Sequence, residues 1–293
     1  MTISRARALA LLAALPALSR CAGRGSALRV GSKNFTESIV VAEIYAQALE
    51  ATGFTVERRF NLGSTQIALA AMQRGDIDLY PEYTGTALID VLHHAPLATP
   101  SAIYDTVRAA FAKQYGMTWL APSPMNDSQG IATTRAVAAR YHLRTLSDLA
   151  VAAPRLRLAT IPEFLSRPDG LPGLQKRYGG FHFASVRTYD IALKYDALLE
   201  GSADVATAFT TDGEIARANL LVLDDDKHLW PAYNVAPVVR SSILAREPKI
   251  ATALDALAPA ITSAAAQRMN AAVEDGRQDP ADVAAAFLKA LPR

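Results

Sequence analysis

Residues 75–86 read GDIDLYPEYTGT. Gly75-Asp76 is turn chemistry, Leu79–Tyr83 is an apolar and aromatic run of strand length, and a helix follows Gly85. Working upstream, Gly63-Ser64 opens a helix to about Arg74, and Thr55–Phe60 reads as a strand. Before it, Asn34 with Glu37 resembles a capping box, and Val40, Val41, Ile44 and Ala48 recur at helical spacing until Gly53 ends the run. Leu28–Lys33 is the first strand candidate. This β-α-β-α alternation predicts an α/β fold with a largely parallel sheet.

Downstream the pattern repeats. Leu156–Ile161, His182–Val186, Asp204–Phe209 and Leu220–Leu223 read as strands, with helices over Leu171–Tyr178 and Asp190–Glu200. Pro237–Arg240 reads as a return strand. Residues 247–293 read as two or three Ala-rich helices broken near Asp279-Pro280. Two α/β lobes without a flexible linker imply more than one short crossing between them.

Composition bounds the function. The chain has 293 residues, 51% hydrophobic and 20% charged, enough for a sizeable core and unlike a disordered chain. A single cysteine excludes an intramolecular disulfide and a cysteine-based zinc cluster. A formal charge of +2 is too small for a nucleic-acid footprint. No apolar run reaches the roughly 20 residues needed to span a bilayer.

The N-terminus reads as an export signal. Arg5 and Arg7 precede the apolar run Ala8–Leu18, of signal-peptide length. Leu18-Ser19-Arg20-Cys21 resembles a bacterial lipobox, which makes Cys21 a candidate lipidation site, although Arg20 stands where a small residue is usual. Cleavage after Ala27 competes with it. Removing the first twenty residues subtracts three arginines and leaves the formal charge slightly negative.

Catalysis has no visible seat. The five histidines lack metal-ligand spacing, and no nucleophile elbow, P-loop or GxGxxG occurs. Asp224-Asp225-Asp226 could hold a cation but reads more simply as a solvated turn. Binding does have a seat: Tyr80, Tyr83, Thr84 and Thr86 cluster where a strand gives way to a helix, which is where open α/β sheets bind ligands. Trp230 and Tyr233 add aromatics near the return strand. Aromatic faces attract cations, quaternary ammonium groups above all; plain core packing is the alternative.

Six stretches in order carry a family resemblance: GSKNFTE (31–37), GDIDLYPEYTGT (75–86), RPDGLPGLQ (167–175), TTDG (210–213), Asp224–Lys227, and YNVAPVVR (233–240). Together they resemble the substrate-binding proteins of ABC importers for glycine betaine, choline, carnitine and related osmoprotectants. The resemblance implies a type II periplasmic-binding fold, two α/β lobes with a hinge and a ligand cleft between them. It divides the chain into a leader (1–27), the first part of lobe 1 (28–130), lobe 2 (131–234), and the return strand and C-terminal helices of lobe 1 (235–293). It implies an aromatic cage of Tyr83, Phe209 and Tyr233, with Gln129 standing where a tyrosine is expected. It assigns a ligand carboxylate to Lys33, Arg167 and Thr86. The implied partners are a quaternary-ammonium ligand, a membrane permease and a separate ATPase subunit, with no cofactor, no metal and no nucleic acid. The expected location is the periplasm or the outer face of the cytoplasmic membrane, as a monomer with a possible lipid anchor. A carnitine-like ligand, choline, ergothioneine, or a role as an extracytoplasmic sensor are the alternatives.

Overall fold

The computed structural model describes residues 27–191 and 193–291. The expected leader, with Cys21, lies outside them up to residue 26. Ten strands form two five-stranded sheets. The first holds β1 (Leu28–Gly31), β2 (Val56–Arg59), β3 (Leu79–Tyr83), β4 (Met117–Trp119) and β10 (Val235–Arg240), in the order β2-β1-β3-β10-β4. The second holds β5 (Gln129–Thr133), β6 (Arg157–Thr160), β7 (Ser185–Thr188), β8 (Val205–Phe209) and β9 (Leu221–Val222), in the order β7-β6-β8-β5-β9.

Both sheets are mixed, where patterning predicts a largely parallel arrangement. β1, β2 and β3 run parallel, and so do β6, β7 and β8. β10 and β5 run antiparallel to their neighbours. The reason is connectivity: each of these two strands enters its sheet from the opposite lobe, without a βαβ crossover to impose its direction. The two crossings, residues 120–128 and 223–234, lie side by side and are tied by a bridge between Asn126 and Asn234. Asn126 Oδ1 accepts from the Tyr233 backbone N–H at 2.7 Å.

The core follows from the patterning. Val40, Val41, Ile44 and Tyr45 of helix Thr36–Ala51 pack with Leu254, Ala266 and Met269 of the C-terminal helices. A separate core under β3 joins Tyr80, Ile77 and Trp119. Gly75 ends helix Thr65–Arg74 at φ +77°, a left-handed conformation that glycine adopts without strain. Among the described residues no helix is long and apolar enough to cross a membrane.

Several local expectations are corrected. Asn34 does not cap the first helix: Phe35 is the N-cap residue and makes no side-chain cap bond. Glu37 turns inward and is buried, because Tyr83 and Asn270 offer it donors there. The strand expected at His182–Val186 begins at Ser185, since Gly179, Gly180 and Phe181 turn the chain through positive φ first. The helix expected from Asp190 begins at Lys194, after a turn closed by Leu193 on Asp190. The triple aspartate is more than a solvated turn: Asp225 accepts from the Tyr178 hydroxyl and from the backbone N–H groups of Leu229 and Trp230. Residues 92–155, where patterning assigns no element, hold β4, β5, three α-helices, Pro100–Tyr115, Arg135–Tyr141 and Leu146–Ala152, and a short 3-10 helix, Ala153–Arg155.

Candidate functional site

A cleft of about 290 Å³ opens between the lobes. Its walls are segments beyond the carboxyl ends of β1, β2, β3, β6, β7 and β8, the expected place for a ligand in open α/β sheets, joined by Asp127, Gln129 and Tyr233 at the amino ends of the antiparallel strands β5 and β10. Lys33, Tyr83, Thr86, Gln129, Arg167, Phe209 and Tyr233 all line it. The sheet register explains part of this. Gln129 and Phe209 are cross-strand partners at the end of the β5–β8 pair, and Tyr83 pairs with Val235 at the end of β3.

One group of cleft residues is aromatic over acid. Phe35 stacks on Phe209 with ring centroids 6.5 Å apart and planes 10° from parallel, and its ring lies 5.9 Å from Tyr83. The family resemblance places Tyr83 and Phe209 in the cage; Phe35, inside the GSKNFTE stretch, completes the wall. Behind it the Tyr83 hydroxyl donates to Glu37 Oε1 at 2.8 Å, and Asn270 Nδ2 donates to Glu37 Oε2 at 3.1 Å. Asp127, which lines the cleft, accepts from the Thr211 hydroxyl at 2.6 Å. Burial and then the neighbouring Glu37 carboxyl push Asp127 well above the ordinary carboxylate range; burial likewise raises Glu37. The Tyr83 phenol is also raised, by burial and then by Glu37.

The second group centres on Asp169, 2% exposed, a residue inside RPDGLPGLQ that patterning does not single out. Arg167 grips it in a fork, Nη2 to Oδ2 at 2.6 Å and Nε to Oδ1 at 2.8 Å. Oδ2 also accepts from the Tyr233 hydroxyl at 2.5 Å and from Gln129 Nε2 at 3.3 Å. Burial lowers the Arg167 pKa and Asp169 more than offsets it, so the guanidinium is held firmly charged. Its Nη1 faces Asp90 of the other lobe at 3.5 Å. Trp230 stands outside the cleft and anchors Asp169 by donating its indole N–H to the backbone oxygen at 2.8 Å.

Lys33 is committed too. Its ammonium lies 2.5 Å from Glu82 Oε1 and 3.0 Å from Thr65 Oγ1, with both members of the ion pair buried. It also sits 4.9 Å from the centre of the Tyr83 ring.

A family model described as the substrate binding domain of the ABC-type glycine betaine transport system matches residues 26–290. The chain belongs to this family. A glycine-betaine-binding protein of Pseudomonas aeruginosa is 37% identical over 273 residues, covering 89% of this chain and 87% of that protein. An ergothioneine transport permease/ergothioneine binding protein of Helicobacter pylori, EgtU, is 32% identical over 97% of this chain, which spans 51% of that longer protein. A crystal structure of a glycine betaine/carnitine/choline ABC transporter superposes with a TM-score of 0.74 at 32% identity, over 89% of this chain and 97% of that one. For a substrate-binding domain of this family, the cleft and the paired crossings 120–128 and 223–234 are the parts that capture requires. A ligand touching both walls stabilises the state in which they approach.

Proposed function

We propose that this chain captures a quaternary-ammonium osmoprotectant, glycine betaine in the first instance, and hands it to a membrane permease driven by a separate ATPase subunit. The observation that carries the reading is the Phe35–Phe209–Tyr83 wall set beside Asp127 and Glu37. A trimethylammonium head gains from aromatic faces, about 0.5–2 kcal/mol each, and from carboxyl groups that bring no cation of their own. Arg167, Lys33 and Thr86 are the candidates for the ligand carboxylate, with Arg167 the strongest because a guanidinium fork matches a carboxylate. Gln129 serves here as a brace for Asp169 where an aromatic face was expected. Export by the N-terminal segment, with Cys21 as a possible anchor, completes the reading.

A choline-like cation is a second reading, favoured by one observation. Lys33 and Arg167 are already neutralised by Glu82 and Asp169, so a ligand carboxylate must share them. Thermal unfolding against glycine betaine, choline, carnitine, ergothioneine and an amino-acid control separates these. A ligand at about 1,000 times its Kd stabilises by about 4 kcal/mol. A shift with betaine exceeding that with choline supports carboxylate capture; no shift with any quaternary ammonium compound overturns the reading.

A further inference from the structure

Among the described residues, the carboxyl groups behind the aromatic wall have no counter-ion. Glu37 is held by the Tyr83 hydroxyl and Asn270, and Asp127 by Thr211, all neutral donors. Asn270 also donates to the Thr211 backbone oxygen at 2.9 Å, so the two acids belong to one buried network. Neither meets a lysine or arginine at ion-pair distance among the described residues. Two ammonium groups reach the aromatic wall, Lys33 at 4.9 Å from the Tyr83 ring and Lys194 at 5.2 Å from the Phe209 ring, and both are spoken for, Lys194 by Asp212 at 2.9 Å and Lys33 by Glu82. The other titratable groups facing the network are also acids or phenols: Asp212 and Glu214 after β8, Tyr195 on helix Lys194–Leu199, and Glu274 on helix Ser263–Glu274.

Two buried carboxylates in one network cannot both stay ionised at ordinary cost, because like charges in a desolvated site repel strongly. An empty cleft therefore favours a state in which the pair keeps a proton. A quaternary ammonium group in the cage supplies the missing positive charge and removes the reason to keep it.

Resting on the capture reading above, we propose that Glu37 and Asp127 are the charge selector of the site: together they hold one proton while the cleft is empty and release it to solvent when a quaternary cation enters. The balance is one cation taken up and one proton given up, with no covalent change. Solutes without a cationic group cannot make this exchange, so the pair selects for a positive head group beyond what aromatic faces provide. Burial, which raises both acids above the usual carboxylate range, points the same way.

The test is titration calorimetry with choline and with glycine betaine, neither of which titrates near neutrality. Each is run from about pH 5.5 to about pH 8.5 in phosphate, imidazole and Tris, whose ionisation enthalpies differ. The expected heats depend on the buffer with a slope approaching one proton released per ligand at the acid end. Affinity rises with pH, by up to about tenfold per unit, until the empty site has lost its proton, and then flattens. E37Q and D127N each remove one titrating group at nearly unchanged shape, E37Q keeping one of the two bonds that Glu37 accepts and D127N the bond from Thr211, so each loses the proton release. Heats that are buffer-independent at every pH while binding persists overturn the proposal and leave capture intact. An undiminished slope in both variants also overturns it. Failure of both probes to bind overturns the capture reading, and the proposal with it.

Discussion

The Tyr233 hydroxyl donates to Asp169 Oδ2 at 2.5 Å, and this one bond ties the segment returning to the first lobe to the loop that presents Arg167 from the second. Asp169 is thereby the counter-charge of Arg167 and the acceptor for two cleft-lining side chains, Tyr233 and Gln129. Removing its charge leaves a buried guanidinium with only the longer contact to Asp90, at 3.5 Å, as counter-charge. Breaking a buried pair this way costs about 3–5 kcal/mol. Asp169→Asn is expected to lose that much in urea unfolding of the empty protein, whereas Tyr233→Phe, which deletes one hydroxyl, costs about 1–3 kcal/mol. Equal stability of Asp169→Asn and the parent would mean that Arg167 finds its counter-charge elsewhere.

In the proposed cage Phe35 is the wall that connects the lobes, since its ring lies 5.9 Å from Tyr83 of β3 and stacks on Phe209 of β8 at 6.5 Å. Phe35→Ala removes one aromatic face worth about 0.5–2 kcal/mol, so affinity for glycine betaine is expected to fall about 2- to 30-fold. Phe35→Leu keeps apolar contact without the π face and tells the two contributions apart. Calorimetry reads both, and a Leu variant that binds as tightly as the parent would remove the cation–π account of this wall.

Glu274 gives the empty protein a pH signature. Burial, then the charge of Glu214, push its pKa up to about 8, and its Oε2 is buried without a hydrogen-bond partner. The native state therefore holds this proton more tightly than the unfolded chain, where a glutamate titrates near 4.5. Its neutral form is compatible with the fold at acid pH, and the ionised form is penalised as pH climbs. Stability is expected to decline from about pH 5 toward about pH 8. Glu37 and Asp127, raised in the same direction, add to the decline. Glu274→Gln should melt higher than the parent at pH 8 and nearly level with it at pH 5. Parallel melting curves for the two across that range would show that Glu274 does not titrate there.

Much of the frame was readable because turn residues punctuate it. Gly75 and Gly53 fall where helices end, and Leu79–Tyr83 and Leu171–Tyr178 occur with the bounds their patterns predict. Helix Pro100–Tyr115 carries the same kind of signals, a Thr99 cap, proline at its first position and Gly116 past its end, and was open to the same argument. The mixed sheet direction was not legible, because it depends on which lobe a strand comes from. In the site, Lys33, Tyr83, Arg167 and Tyr233 lay inside recognisable motifs, whereas Glu37 read as a helix-capping partner and nothing in the pattern singled out Asp127 or Asp169. Their roles come from burial, which is set by partners far along the chain such as Asn270, Thr211 and Tyr233. Phe35 was missed for the same reason: its cage function exists only once Phe209 is brought opposite it.

Gly85 offers a test of positioning that touches no proposed ligand contact. It stands between Thr84 and Thr86 at the end of β3, with ordinary backbone, so its glycine identity is not demanded by φ. The demand is steric. A Cβ at this position would lie 2.6 Å from Tyr233 Cδ1 and 2.8 Å from the Ala232 backbone oxygen, closer than such atoms approach in folded proteins. The Tyr233 ring packs directly on the Gly85 backbone, and its hydroxyl is thereby aimed at Asp169. Gly85→Ala must push the ring or the 232–233 segment away, and overpacking of this kind costs about 1–3 kcal/mol. Because Tyr233 lines the cleft and braces Asp169, the displacement also loosens Arg167. The expected result is a lower melting temperature together with roughly tenfold or greater loss of affinity for glycine betaine, a loss that Tyr233→Phe, which leaves the ring in place, does not reproduce in full. A Gly85→Ala protein that binds normally would mean that the position of the Tyr233 ring is immaterial to capture.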